Sequence, residues 1–522
     1  MFYFNKPKKG GLMKKLTRRS FIKATASAAA VTMVTPALPK GWYGLARADT
    51  PAYFENEFGI TDSMCQKVLA AAMSRGGDFA DLYFEHTISN WLILEDSKVN
   101  RAYSDVALGV GIRTVKGDQV GYGFTQELTE DSMLKAASTA ATIANAEAKK
   151  PAAKFEALEM KNYYPLKTLL TSVPIKSKLP LVQTVNDKCF AFSPLIIKVR
   201  AGFYDQQKRI LVVTSEGIKA EDLQPRDYLF ASVVAEKGGK RERAGWNLGG
   251  RKDFSFYTSA VVEEIAKKAV DHAVILFDAV QPPAGEMPVV LGTGDTGVLL
   301  HEAIGHGMEA DFNRKKISTY STMMGKKVAE PFVTILDDGT IPQLLGSIDV
   351  DDEATLGQKT VLVDKGILSS YMHDKISARY YKVKPTGNGR RESYQHYVQP
   401  RMRNTYMLAG PATPEDVIKS VKKGIYVQEV SNGQVKIGEG DFAFYVSQGK
   451  MIEDGKLTAP IKDVNIMGNG PKMLRNITMV ANDLKMAEGG SGMCGKGGQA
   501  VPVSFGQPTC LVKSMTVGGV KA

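Results

Sequence analysis

Residues Gly297–Asp311 read GVLLHEAIGHGMEAD and carry His301, Glu302 and His306 in an apolar run of helical pattern. Zinc peptidases commonly place two histidines at i and i+4, where about 100° per residue returns both side chains to nearly one face. Here the spacing is five, and positions i and i+5 diverge by roughly 140° on a regular α-helix. A shared metal therefore requires one residue to be looped out, as in a single π-helical turn, a device concentrated at functional sites. Gly305 and Gly307 flank His306 and leave the backbone free to distort there. The competing reading ends the helix near Gly305 and turns His306 elsewhere, and spacing alone leaves both open.

If the histidines share a metal, a third protein ligand is needed, with one position left for water. Glu302, beside His301, then stands where a general base would activate that water. Local spacing leaves the third ligand open. Glu309 and Asp311 lie just downstream, while Cys494 sits in GGSGMCGKGGQAVPV, whose glycines allow a close approach to another element. Cys510, in QPTCLVK, has the strand-like apolar context of a small buried hydrophobe, although it could also pair with Cys494. Imidazole and thiolate donors suit zinc better than magnesium or calcium, which ranks Cys494 ahead of Glu309.

The chain has 522 residues, enough for two or three domains, and the 43% hydrophobic and 23% charged composition of a globular protein. Its formal charge is +12, but ten lysines and arginines and no acidic residue fall within residues 1–48. Removing them leaves +2, so the body offers no compositional case for a nucleic-acid partner. Those basic residues frame a leader. TRRSFIK (17–23) precedes the modest apolar run ATASAAAVTMVTPAL, and Ala46 and Ala48 offer a small-x-small cleavage signal. Residues 1–48 are expected to be a twin-arginine signal peptide, with a periplasmic mature protein exported folded. The apolar run is too short and too rich in Ala and Thr to span a bilayer, so no membrane association is expected after cleavage.

Beyond the leader, residues 58–150 read as strands followed by a helix capped by Thr129, and residues 165–284 as a mixed α+β region. KKPAAKFEALEMKNYYPLK, without a clear period, reads as a linker between them. QPPAGE (281–286) closes the middle region, and residues 285–522 are β-rich around the histidine helix, which Asp295 or Thr296 is expected to cap. Strand and helix runs are segregated rather than alternating, which predicts an α+β fold. The basic turn GNGRRESYQH supplies Arg390, Arg391 and His396 as candidate substrate contacts, with a solvated turn as the alternative.

VLLHEAIGHGMEADFNRK, SIDVDDEATLGQ, PTGNGRRESY, PRMRNTYML, MVANDLK and MCGKGGQAVPVSFGQPT, in this order, resemble the TldD branch of the TldD/PmbA family of metallopeptidases. The resemblance implies a zinc peptidase with an H-E-x-x-x-H site and one zinc per chain. It places the metal ligands on His301, His306 and Cys494, the catalytic glutamate on Glu302, and a bulged helix at Ala303 to Gly305. It further implies short or unfolded peptides as substrates, enclosed in a homodimer or in a heterodimer with a PmbA-type paralogue. A non-catalytic scaffold subunit of such an assembly is the alternative. Dipeptidyl peptidase III has the same five-residue spacing, but its ligand-bearing paired-glutamate helix has no counterpart after His306. The leader, Gly497 in place of a common acidic residue, and Asp295 in place of an expected aromatic depart from the family pattern.

Overall fold

The computed structural model describes residues 52–436 and 438–519; the expected leader lies outside them. Strand β1 (Phe79–Glu95) pairs antiparallel with β2 (Lys98–Lys116), which turns into β3 (Gln119–Thr125). Successive side chains of a strand face opposite ways, and β1 has different tasks for its two faces. Leu82, Phe84, Leu92 and Leu94 face helices, whereas Tyr83 packs on Val350, Ala354 and Tyr394 of the C-terminal region. The strand is consequently buried on both sides over most of its length.

Helices α1 (Asp62–Ala72) and α2 (Glu130–Ala141) cover the first part of this sheet through Val68, Leu69, Met133 and Ala137. The Thr129 hydroxyl accepts the Ser132 N–H and caps α2 as expected. Strands β4 (Ile196–Thr214), β5 (Ile218–Lys237) and β6 (Lys240–Gly250) then extend the same sheet in the order β3-β2-β1-β4-β5-β6. The join is long, running from Asp81 opposite Thr214 to Glu95 opposite Arg200. Helices α3 (Ile175–Phe192) and α4 (Ser259–Val274) pack on the added half. Residues 58–150 and 165–284, distinct in sequence, thus share one sheet. The connecting segment is tied down rather than free: the Tyr164 hydroxyl donates to Asp222 at 2.6 Å and accepts the Asp349 N–H at 3.0 Å.

The C-terminal region is built around a second sheet. Its strands are β7 (Gly285–Leu291), β10 (Lys423–Lys436), β11 (Asp441–Glu453), β12 (Asn465–Asn469) and β16 (Cys510–Gly518). A smaller sheet holds β8 (Ile335–Asp338), β9 (Asn404–Met407) and β15 (Ser504–Gln507), and β13 (Met493–Lys496) with β14 (Gln499–Pro502) forms a two-stranded ribbon. Because β10 pairs with both β7 and β11, the pairings β10-β7-β16-β12-β11 close on themselves, leaving these five strands no open edge in the ring. Leu299, Leu300, Ala303 and Ile304 of the histidine segment are buried in the same core as Val289, Val427, Phe444 and Leu474. This mixed α/β architecture agrees with the α+β expectation.

Buried charge ties the first sheet to the C-terminal region. Arg113 of β2 donates from Nε to Asp81 at 2.6 Å and from Nη2 to Glu353 at 2.7 Å, while Arg391 Nη2 reaches the other Asp81 oxygen at 2.8 Å. The Arg113, Asp81, Glu353 and Arg391 side chains are fully buried. Burial alone would raise the Asp81 pKa, but Arg113 and Arg391 outweigh it and hold the carboxyl below its usual value. Removing one member leaves uncompensated charge in the interior. Arg113→Met is therefore expected to lower unfolding free energy by about 3–5 kcal/mol in urea titration. Lys67→Ala, which breaks an exposed pair with Glu130, should cost less than about 1 kcal/mol. A shift for Arg113→Met no larger than that control would show that the network does not hold the layers together.

Candidate metal centre

The histidine segment begins in a tight 3₁₀ turn at Asp295–Gly297, continues through an α turn at Val298–Leu300, and widens into a π-helical turn at His301–Gly305. The widened turn removes the divergence that a regular helix imposes on a five-residue spacing. A Cβ on Gly305 would lie 2.0 Å from Met402 Sδ, so any larger residue would have to displace that buried side chain. The expected capping is not found: neither Asp295 nor Thr296 bonds a helix N–H through its side chain. The Thr296 hydroxyl instead donates to the Gly292 carbonyl and accepts Gln507 Nε2 at 2.7 Å, because this end is buried against β15.

His301, His306 and Cys494 come together. One potential ligand atom from each lies within 4.8 Å of the others, and all three residues are buried. The imidazole rings meet edge to face with centroids 5.3 Å apart, and Cys494 Sγ lies 3.5 Å from His306 Nε2. His301 is 1% exposed, yet neither of its ring nitrogens has a hydrogen-bond partner among the described residues. A sealed imidazole without partners is costly, and a cation between it, His306 and Cys494 would satisfy it. Two imidazoles and a thiolate form a donor set for a transition metal rather than magnesium or calcium. The residues fit the metal that the motif implies.

Two carboxylates address His306 from opposite sides. Glu309, fully buried, lies 3.0 Å from Nδ1; its acceptor oxygen places the ring proton there and leaves the Nε2 lone pair toward Cys494. Glu302 approaches Nε2 at 3.6 Å and keeps 21% of its side chain exposed. Glu309, an early candidate ligand, thus contacts His306 from outside the three-residue cluster. It is held in turn by Lys496 at 3.1 Å and Arg401 at 3.8 Å. Arg401 also donates from Nη2 to Cys494 Sγ at 3.1 Å, and Lys496 to Asp311 at 2.8 Å. Burial would depress the His306 pKa, but the Glu309 and Cys494 charges pull it well above its usual value. Burial would raise the Cys494 thiol, but His306 and His301 bring it well below. These shifts describe mutually stabilised charges that a bound cation would replace in part.

The glycines around Cys494 have a definite job. Gly497 and Gly498, at φ of 57° and 77°, form the two-residue turn of the β13–β14 ribbon that carries the cysteine to the histidines. Cys510 is buried in β16 against β7, and all four cysteines are free thiols. The candidate substrate contacts divide differently. Arg390 is buried and donates to the Met402 and Pro502 carbonyls, and Arg391 is taken up by Asp81 and the Asp352 carbonyl. Their guanidiniums brace the fold rather than forming a solvated turn, because their acceptors arrive from distant segments. His396 is half-buried beside Ser393 and makes no bond to the cluster. Sequence reasoning gave no role to Arg401 and Lys496, although both stand inside quoted motifs; a buried cation beside a ligand has no local pattern.

Comparison with known proteins places the chain in one family. The PmbA/TldA metallopeptidase C-terminal domain matches residues 284–519, domain 1 matches residues 80–144, and the central domain matches residues 169–277. A Buchnera aphidicola protein named metalloprotease TldD homolog is 40% identical over 88% of this chain and 96% of its own. A Saccharolobus solfataricus protein named zinc metalloprotease TldD homolog is 27% identical over 87% of this chain and 99% of its own. The fold is shared with a crystal structure of a Thermotoga maritima protein at TM-score 0.71 and 21% identity, covering 87% of this chain and 99% of that one. With this identity along nearly its whole described length, the chain belongs to the PmbA/TldD metallopeptidase family.

Proposed function

We propose that this protein is a zinc-dependent peptidase that holds one zinc per chain on His301, His306 and Cys494 and hydrolyses short or unfolded peptides. The observation that carries the reading is the sealed His–His–Cys cluster with a partly exposed carboxylate, Glu302, at its edge. The zinc named in the Saccharolobus relative supports the choice of metal. When bound, zinc supplies the Lewis acidity that polarises a peptide carbonyl and makes water nucleophilic near neutral pH.

The chain's own residues divide the remaining work. Glu309 is fully buried, paired with Lys496 and Arg401 and bonded to His306 Nδ1, so it orients that ring. Glu302 retains solvent access and serves as the general base that takes the proton of the attacking water. It then delivers that proton to the leaving amine. Burial of the other donors confines the reaction to the side that Glu302 faces. The reading includes assembly as a homodimer or with a PmbA-type paralogue, and export to the periplasm by the residue 1–48 leader. Among the described residues no helix is long and apolar enough to cross a membrane.

Two experiments separate the roles. Glu302→Gln should keep about one zinc per chain by elemental mass spectrometry while losing about 10²–10⁴ in kcat/KM on an unfolded peptide; undiminished hydrolysis would sink the mechanism. Glu309→Gln should weaken zinc affinity about 10- to 100-fold in chelator competition, and Cys494→Ser should abolish metal retention in the same assay. Zinc held normally by both variants would show that the cluster is not the metal site.

A further inference from the structure

A cleft of about 250 Å³ lies between the first sheet and the C-terminal region, on a different surface of the cysteine-bearing ribbon. Residues of β1, β2, β4 and β5 form one wall, and the six lysine and arginine side chains of the lining, Arg251, Arg391 and Arg403 among them, outnumber the carboxylates of Glu85, Asp105, Asp352 and Glu392. The ribbon supplies another wall through Met493 and Pro502, which pair across β13 and β14. Neighbouring ribbon residues point to opposite faces. Since Cys494 reaches His306, Met493 faces away from the cluster, and it is indeed 43% exposed.

Most charges on this lining are spoken for. Lys208 pairs with Glu85 at 3.4 Å, Arg391 with Asp81, and Arg226 Nε donates to the Gly490 carbonyl. Arg403 is different. It is 2% exposed and donates from Nε to the Gly387 carbonyl at 2.9 Å, but Nη1 and Nη2 have no acceptor among the described residues. Arg251 and Arg391 each add an unpartnered buried Nε to the same lining. A guanidinium edge presents two parallel donors in a planar fork, whose natural complement is a carboxylate. Burial, helped by Arg251, outweighs the opposing pull of Asp352, Asp351 and Asp337 and leaves Arg403 with a pKa below its usual value, the direction that an added anion would reverse.

We propose that this cleft is a carboxylate subsite in which the free fork of Arg403 receives the C-terminal carboxylate of a short peptide. The proposal rests on the peptidase reading for the source of that carboxylate, which is either an intact substrate's own end or a released product's. The volume admits a terminus with one or two small residues, not a folded chain. Its occupant touches the ribbon that presents Cys494, so filling the subsite also steadies a metal ligand from behind.

The test compares one short peptide, acetyl-trialanine, as free acid and as C-terminal amide, by titration calorimetry on the zinc-loaded protein. The acid should bind about ten- to a hundredfold tighter than the amide, and Arg403→Lys, which keeps the charge but loses the fork, should bring that ratio close to one. Arg403→Gln, checked for an unchanged circular-dichroism spectrum, should do the same. Equal affinity of acid and amide for the unmodified protein overturns the proposal without any variant, and the cleft is then a water-filled seam. Kinetics distinguish the sources: a lower KM for free-acid than for amidated longer substrates assigns the substrate's own end. Inhibition of amidated-substrate turnover by the acid tripeptide assigns the product. Hydrolysis of longer peptides without acid selectivity leaves the peptidase reading standing and removes the subsite. Acid-selective binding without hydrolysis of any peptide does the reverse.

Discussion

A five-residue interval between two histidines is the constraint on which the rest of the C-terminal region depends. On a regular helix the imidazoles would point some 140° apart, so the backbone must widen by one residue where His301 and His306 are to meet. A π turn is broader than an α turn and needs room. That room comes from elsewhere: a Cβ on Gly470 would fall 1.9 Å from the Ala303 carbonyl, and one on Gly305 would strike Met402. Two glycines, one in the turn and one far along the chain, therefore allow the segment to remain in the core. The closed ring of strands then supplies a surround of Val289, Val427 and Phe444, in whose core the widened turn is buried.

The first sheet contributes through alternation. One face of β1 carries leucine and phenylalanine to the helices, and the other carries Asp81 and Tyr83 to the C-terminal region. Arg113 and Arg391 meet at Asp81, so the basic GNGRRESYQH segment is fixed to a strand more than 300 residues earlier. The neighbouring Arg390 bonds both the Met402 segment and the ribbon behind Cys494. The ion network is thus more than glue between layers. It sets the position of the chain from Arg390 to Arg403, and that chain delivers Arg401 to the cysteine sulfur.

What the sequence made legible follows the range of each physical signal. Helix caps act over three residues, and Thr129 is found capping as its neighbours suggest. The pair of histidines and the glycine-flanked Cys494 carry enough local chemistry to stand out. Sheet membership does not: β1 pairs with β4 across more than 100 residues, and nothing near either strand announces that the two regions form one sheet. Arg390 and Arg391 look like a solvated basic turn because their acceptors are remote. Glu309 is visible as a carboxylate beside a histidine, but its conversion from candidate ligand to orienting partner depends on Lys496 and Arg401, which the fold brings from 90 or more positions away.

The formal charges around the cluster bear on the cation that the proposed function places there. Glu302, Glu309, Asp311 and a Cys494 thiolate bring four negative charges, and Arg401 and Lys496 offset two of them. With both histidines neutral these groups leave two negative charges in excess, which the buried Arg390 guanidinium, acting on Cys494, reduces to one. That excess acts on His306, whose pKa is driven well above its ordinary value by Glu309 and the thiolate against the effect of burial. A buried site with this imbalance is built for a resident cation rather than for an apolar core. Glu302, 21% exposed beside His306 Nε2, is the member of the set that the proposed mechanism uses as its base.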